Sequence, residues 1–277
     1  MGETIGTEDK GLAADGTIRS EGSLEHVHAD FAPVVEAAGF HITDAFGPER
    51  LHSAYLYGSI PRGTAIPGVS DLDLLVVLHD VPTGADTAAA EAAGTALDSA
   101  FPVIDGVGLL LSPARTLLSE EERDDGGFFV ACLCTPLTGE DLAARLPRYR
   151  PTSLLARETN GDLALVLPRW RALAAAATTD EERMRLSRRI ARRLVRSAFT
   201  LVMPRWGGWT SDLHRSAELF ARYHPRHPER VEQIRSAAVT ARTPSPDPDG
   251  LSALIEDLGP WLAAEYTRAH GTKAPRP

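Results

Sequence analysis

Two short clusters in "LYGSIPRGTAIPGVSDLDLLVVL", Leu56 to Leu78, carry residue types that can do chemistry together. Gly58 and Ser59 close one apolar run, and after eleven further residues Asp71 and Asp73 open another. If "DLDLLVVL" is a strand, its side chains alternate, so Asp71, Asp73, Leu75 and Val77 share one face. Two carboxylates at the mouth of a buried strand repel each other and resist desolvation. A divalent cation removes both problems, and Mg²⁺ commonly takes one or two carboxylates together with substrate phosphates. The Gly-Ser pair supplies a tight turn, a close backbone approach and a hydroxyl, and free N–H groups at a following helix start would hold phosphate. Arg62, three residues beyond Ser59, reaches the same phosphates. Pro61 and Gly63 keep any helix after Ser59 short. Either cluster alone is an ordinary turn or a solvated strand edge. In this order, with strand patterns on both sides, they read as phosphates on the Gly-Ser side and metal on the aspartate side.

The elements that must position these residues follow from periodicity. Ser23 caps a helix through "LEHVHADFAPVVEAAG", and "HSAYLYG" is a strand. "DLDLLVVL" is a second strand, buried on both faces beyond its first residues. "TGADTAAAEAAGTALDSAF" is helical. "PVIDGVGLLL" is a third strand, weakened by its two glycines. A short helix and acidic loop precede a fourth strand, "FFVACLCTPL", and a turn. After about residue 145 the pattern changes to a period of 3.6, with helices near 151–175, 180–203, 211–223, 228–241 and 249–269. The expected fold class is α+β, an α/β-type domain with a mixed sheet followed by an all-α helical bundle. The boundaries are a disordered leader over 1–22, the α/β domain over 23–145 and the helical domain over 146–277.

The strand, Gly58-Ser59, an eleven-residue linker and then Asp71-x-Asp73 on the next strand resemble the polymerase-β-like nucleotidyltransferase superfamily. "GS-x2-RG" and "SDLDLLV" look like its aminoglycoside adenylyltransferase and minimal nucleotidyltransferase branch. The likeness covers residues about 50–145, with "LTGEDL" resembling the closing segment of that half. The resemblance implies a reaction: ATP or another NTP enters as its Mg²⁺ complex, a hydroxyl attacks the α-phosphorus, and pyrophosphate leaves. It assigns Gly58 and Ser59 to the triphosphate and Asp71 and Asp73 to metal. It also implies a third acid on a neighbouring strand, as metal ligand or general base, for which Asp105 is the candidate. Asp105 is the one acid within its apolar run, although Gly106 and Gly108 stand where the family has larger apolar residues. A turn aspartate in a D-G pair is the plain alternative.

In the helical half, Arg185, Arg188, Arg189, Arg192, Arg193 and Arg196 cover one arc of a helix, with Leu186, Ile190, Leu194 and Leu201 opposite. Arg189, Arg192 and Arg193 are the nucleotide-binding candidates, against a plain solvated face. Trp206 and Trp209 are more often helix anchors than stacking surfaces. "RYHPRH" holds Arg222 and His227 at the R-x4-H spacing of a helical ribonuclease family, but Pro225 breaks the helix that would present both.

Bulk properties bound the remaining choices. The 277 residues suit one large domain or two ordinary ones, with 43% hydrophobic residues for a sizeable core. Cys132 and Cys134 are the only cysteines, too few for a zinc site and best read as reduced core thiols. No apolar run approaches a membrane span, and the N-terminus has no signal-peptide core, so the expected location is cytoplasmic with no membrane partner. The net charge of −9 is uneven: residues 1–145 hold 24 acids against 7 Lys+Arg, and the rest hold 14 against 22. An acidic half suits a cationic, aminoglycoside-like small acceptor. The arginine stripe keeps an RNA or protein acceptor open, and a catalytically silent nucleotide-binding module is the third reading.

Overall fold

The computed structural model describes residues 8–275, which fall into two units. One runs Arg19–Tyr149 and holds all four strands. The other is helical; it begins at Arg150 and also takes in the described residues up to Ile18.

In the first unit, Ser23 caps only a 3₁₀ turn, Leu24–His26, with its hydroxyl accepting from the Glu25 N–H at 3.1 Å. The main helix α1 starts later, at Ala32–Arg50, and passes through Gly39 rather than ending there. Strand β1 (Leu51–Tyr57) follows directly, then β2 (Leu72–Leu78), helix α2 (Gly84–Ala100), β3 (Val107–Pro113), the short α3 (Ala114–Leu117) and β4 (Cys134–Gly139). The sheet order is β3-β2-β1-β4, with β2 and β3 parallel and the other pairs antiparallel. This is a mixed sheet, and β2–α2–β3 is the crossover unit that parallel pairing requires.

β2 is central and apolar on both faces. Leu72, Leu74, Val76 and Leu78 pack with α1 and α2 residues such as Val34, Ile42, Ala93 and Leu97. Leu75 and Val77 pack on the other face with Tyr55, Val130 and Leu142. Asp73 is in phase with this second set and lies at its open end, as strand alternation requires.

The stretch expected as one strand over "FFVACLCTPL" is a strand only from Cys134. Arg123–Gly127 and Phe129–Leu133 are wound into wide π-type turns. Phe128, Val130, Cys132 and Cys134 are all buried, so their alternation reads as strand although the backbone before Cys134 is coiled. Both cysteines are free and buried, and burial pushes the Cys132 thiol up to about 12 and the Cys134 thiol well up too.

The helical unit comprises α4 (Ser153–Asn160), α5 (Leu163–Ala176), α6 (Asp180–Trp206), α7 (Leu213–Tyr223), α8 (Pro228–Thr240), α9 (Pro248–Ser252) and α10 (Gly259–His270). The single helix expected over 151–175 is two, broken at Gly161, whose N–H closes α4 on the Arg157 carbonyl. The leader expected over 1–22 differs from residue 8 onward; residues 1–7 lie outside the described residues. Lys10 Nζ donates to the Trp206 carbonyl at 2.8 Å, Leu12 and Ile18 form an antiparallel bridge, and Ile18 is buried. Glu8 pairs with Arg222 at 3.1 Å. A polar, Gly-rich composition thus still binds a surface when a few of its side chains find partners there. Among the described residues no helix is long and apolar enough to cross a membrane.

One ion pair fixes the layer of α1 and α2. Arg50, the last residue of α1, donates from Nε to Asp86 Oδ1 at 2.8 Å and from Nη2 to Oδ2 at 2.6 Å. Asp86 also closes a capping box with Thr83 at the start of α2. The Arg50 guanidinium first, and Thr83 second, hold the Asp86 carboxyl well below the usual carboxylate range. A carboxyl lowered in the folded state stabilises fully above its unfolded value, about 4, and loses that contribution as pH falls. Asp86→Asn is therefore expected to lower the melting temperature by several degrees at pH 7 and by much less at pH 2. Melting curves at the two pH values check this; an equal loss at both would show that the ion pair contributes nothing.

Candidate active site

Tyr57 ends β1 and pairs with Asp73 across the antiparallel ladder, while Gly108 pairs with Asp73 from the parallel side. Gly58 then turns the chain with φ of 85°, a left-handed conformation that favours glycine. Both glycines touch the same carboxylate. A Cβ on Gly58 would lie 2.5 Å from Asp73 Oδ2, and one on Gly108 would lie 2.8 Å from Asp73 Oδ1. Real Cβ atoms do not approach that closely, so the Asp73 carboxylate occupies a slot open only because two side chains are missing.

Asp71 sits just before β2 and is half-buried, as is Asp73. A Cβ on Gly106 would meet Asp71 Oδ1 at 3.8 Å, an ordinary contact. The loop before β3 is tied here by backbone bonds: Asp105 N–H donates to the Ser70 carbonyl at 3.1 Å, and Leu72 N–H to the Gly106 carbonyl at 2.9 Å. Gly58, Asp71, Asp73 and the backbone of Asp105 are therefore gathered at one end of β2. Asp105 itself is corrected: it precedes β3 rather than lying in a strand, and it is exposed. The chain reaches strand geometry only at Val107, because Gly106, at φ of 155°, follows the D-G bend.

After Gly58 no helix forms. Residues 58–63 are turn, closed by Gly63 N–H to the Ile60 carbonyl at 3.1 Å and Thr64 N–H to the Ser59 carbonyl at 3.0 Å. The phosphate-binding reading of a helix N-terminus gives way to a turn, as Pro61 and Gly63 dictate. Ser59 is half-buried within it. Arg62 is engaged: its Nη1 lies 3.6 Å from Glu21 Oε2.

Arg189, Arg192 and Arg193 lie on α6, in the other unit. Arg193 is ion-paired with Asp162. Arg189 is exposed and Arg192 half-buried. Trp206 and Trp209 are buried, each edge-on to Phe199, and act as anchors.

Sequence reasoning missed the role of Gly108, although its signal was visible. A glycine inside a strand often marks a close approach by another group, not only a weak strand. It also missed the Tyr57–Phe129 edge-to-face pair, with ring centres 5.0 Å apart, beside the Asp73 ladder position.

No group of three or more His, Cys, Asp or Glu that would hold a metal on its own occurs among the described residues. The donors present are two half-buried carboxylates at one strand end, a hard-oxygen set suited to Mg²⁺ when substrate phosphates complete the shell.

Residues 46–104, from the end of α1 through β1, β2 and α2 to the loop before β3, match the family described as nucleotidyltransferase domain. The chain carries a nucleotidyltransferase domain. The matched segment contains Gly58, Ser59, Asp71 and Asp73 but stops one residue short of Asp105. The fold is similar to that of spectinomycin adenyltransferase AAD(9) from Enterococcus faecialis, with 13% identity and a TM-score of 0.50. The likeness covers 85% of this chain and 98% of that one, whose crystal structure holds ATP and spectinomycin. At that identity the likeness shows the shared fold of a nucleotidyltransferase domain followed by a helical region. No curated protein matches the chain.

The glycine slot makes a direct prediction about this nucleotidyltransferase domain. Gly108→Ala drives a methyl onto Asp73 Oδ1 and swings the carboxylate away, and a misplacement near 1 Å at reacting groups costs about 10²-fold in rate. Gly94, on α2 against Leu109, is the control site for general disturbance at the same strand. The expected result is loss of nucleotidyl transfer in Gly108→Ala at a nearly unchanged melting temperature, with Gly94→Ala retaining transfer.

Proposed function

We propose that this nucleotidyltransferase moves a nucleoside monophosphate, AMP from ATP first, to a hydroxyl of a small, polar, aminoglycoside-like molecule and releases pyrophosphate. The observation that carries the reading is the Asp73 carboxylate locked between Gly58 and Gly108 with Asp71 beside it. The AAD(9) structure, with ATP and spectinomycin bound in the same fold, supports the choice of ATP and of a small acceptor. The acidity of the N-terminal half adds support, since it would attract a polycationic acceptor.

In this reading Asp71 and Asp73 hold Mg²⁺, which would neutralise the phosphates and stabilise the attacking and leaving oxygens. The chain's own residues do the positioning. The Gly58–Ser59 turn brings backbone and hydroxyl against the triphosphate. Arg62 exchanges its Glu21 partner for phosphate, which costs little for a pair at 3.6 Å. Asp105, exposed on the loop tied to Ser70, completes the carboxylate set as a third ligand or as the base that takes the hydroxyl proton. Arg189, Arg192 and Arg193 are proposed to add positive charge for the phosphates; Arg193 would first have to leave Asp162.

The test is pyrophosphate release from ATP and Mg²⁺ with a panel of aminoglycoside-like acceptors, followed by mass spectrometry of the acceptor. The expected gain is one adenylyl group per acceptor, abolished in Asp73→Asn and Asp71→Asn. Nucleotide binding by calorimetry with no turnover on any acceptor would sink the transfer reading and leave a binding module. Labelled nucleotide appearing on RNA or protein in lysate, with none on small molecules, would replace the small acceptor with a macromolecular one. If Asp105→Asn retains full rate, Asp105 is neither ligand nor base.

A further inference from the structure

The helical unit contains a serine and a histidine arranged as nucleophile and base. Ser153 is the first residue of α4 and is exposed. Its Oγ lies 2.7 Å from Nδ1 of His270, the last residue of α10. The other ring nitrogen, Nε2, lies 3.0 Å from the Leu201 carbonyl of α6. A carbonyl only accepts, so Nε2 carries the proton. A neutral ring then leaves Nδ1 bare, and Nδ1 must accept from the Ser153 hydroxyl. Burial lowers the His270 pKa, with the Leu201 bond opposing it, so the ring is neutral at pH 7. The Tyr266 ring, edge-on at 5.2 Å and fully buried, fixes one side of the imidazole.

A nucleophile bonded to a base whose tautomer is set by a third group is the arrangement that activates serine. The surroundings add two things. Thr152 caps α4 by accepting from the Leu155 N–H at 3.1 Å, which leaves the first two N–H groups of α4, on Ser153 and Leu154, without acceptors inside the helix. Such N–H groups are the kind of donor that an oxyanion on a group bonded to Ser153 Oγ would call on. Leu154, 47% exposed, offers an apolar lip beside the hydroxyl.

We propose that Ser153 is a second reactive site, a nucleophile activated by His270 that accepts an acyl group from an activated ester with an apolar acyl or aryl part. Ser153 Oγ forms a bond to the carbonyl carbon, and the bond from that carbon to the leaving oxygen breaks. The proton passes from Ser153 Oγ to His270 Nδ1 and from there to the leaving alkoxide or aryl oxide. No oxidant or metal enters the balance. The site is independent of Asp71 and Asp73, and its chemistry stands or falls apart from nucleotidyl transfer.

The full chain is incubated with p-nitrophenyl acetate and, separately, with a fluorophosphonate probe, and peptides are mapped by mass spectrometry. The expected label is one acetyl or phosphonyl group on Ser153, absent in Ser153→Ala. Labelling should fall about 10²-fold in His270→Gln, the usual worth of a positioned base. Asp73→Asn should label at the wild-type rate while losing nucleotidyl transfer. Because His270 also ties α10 to α4 and α6, heteronuclear NMR of the ring nitrogens in the unmutated protein provides a second measurement. It should report a proton on Nε2 and a bare Nδ1 that shifts in Ser153→Ala. No label on Ser153, or equal labelling in folded His270→Gln, overturns the proposal, as does a proton on Nδ1.

Discussion

The Asp73 carboxylate has room only because neither neighbouring strand places a side chain against it. Gly58 faces one oxygen and Gly108 the other. This is a steric constraint before it is a chemical one, and much of the N-terminal unit serves it. Gly58 must turn with positive φ where β1 ends, so the turn and the slot are set by one residue. Gly108 must lie in register with Asp73, so β3 must run parallel to β2, and α2 must carry the chain back across the sheet to start it. A carboxylate held this way spends little rotamer entropy when it takes a ligand, which is what preorganisation means for a site of hard oxygens.

The same constraint explains why the site lies at the start of β2 and not along it. Beyond Asp73 the strand is buried on both faces, with Leu74, Leu75, Val76, Val77 and Leu78 at 2% exposure or less. A carboxylate deeper in the strand would be desolvated without compensation. At the open end it is half-buried: sheltered enough for its charge to matter, open enough for ligands to arrive. The Arg50–Asp86 pair joins the last residue of α1 to the first turn of α2 at the other end of the sheet, where β1 begins and β2 has already ended.

How much of this was legible in the sequence depended on whether the signal was periodic or spatial. The two-fold alternation of "DLDLLVVL" places Asp73 in phase with Leu75 and Val77, and the Gly-Ser and Asp-x-Asp spacing points to residues that the fold gathers at one end of β2. Element boundaries were less legible. Phe128, Val130 and Cys132 alternate like a strand yet lie in wide helical turns, because burial alternates in both. Asp105 lies outside the strand because an apolar run does not reveal where strand geometry begins: β3 starts at Val107, five residues after Pro102 and just past the bend at Gly106. Gly108 and the Ser153–His270 pair depend on register and on contacts across 117 residues of chain, which no local pattern carries.

The charge reversal between the halves has a plainer meaning than the sequence suggested. In the helical unit the arginines are largely occupied within the unit itself: Arg171 with Glu256, Arg193 with Asp162, Arg230 with Asp257, Arg235 with Glu218 and Arg268 with Glu265. A protein that tracks a nucleic-acid backbone needs cations that exchange counterions for phosphates, and an arginine already bonded to a carboxylate must lose that bond first. On α6 even the expected stripe is partly consumed, with Arg185 on Glu181 and Arg193 on Asp162. Part of the arginine here thus fastens one element to another, as Arg171, Arg193, Arg230 and Arg235 do, where its planar fork suits carboxylates better than lysine would. Such fastening calls for arginine rather than lysine whatever the acceptor is, so the charge reversal by itself does not point to RNA.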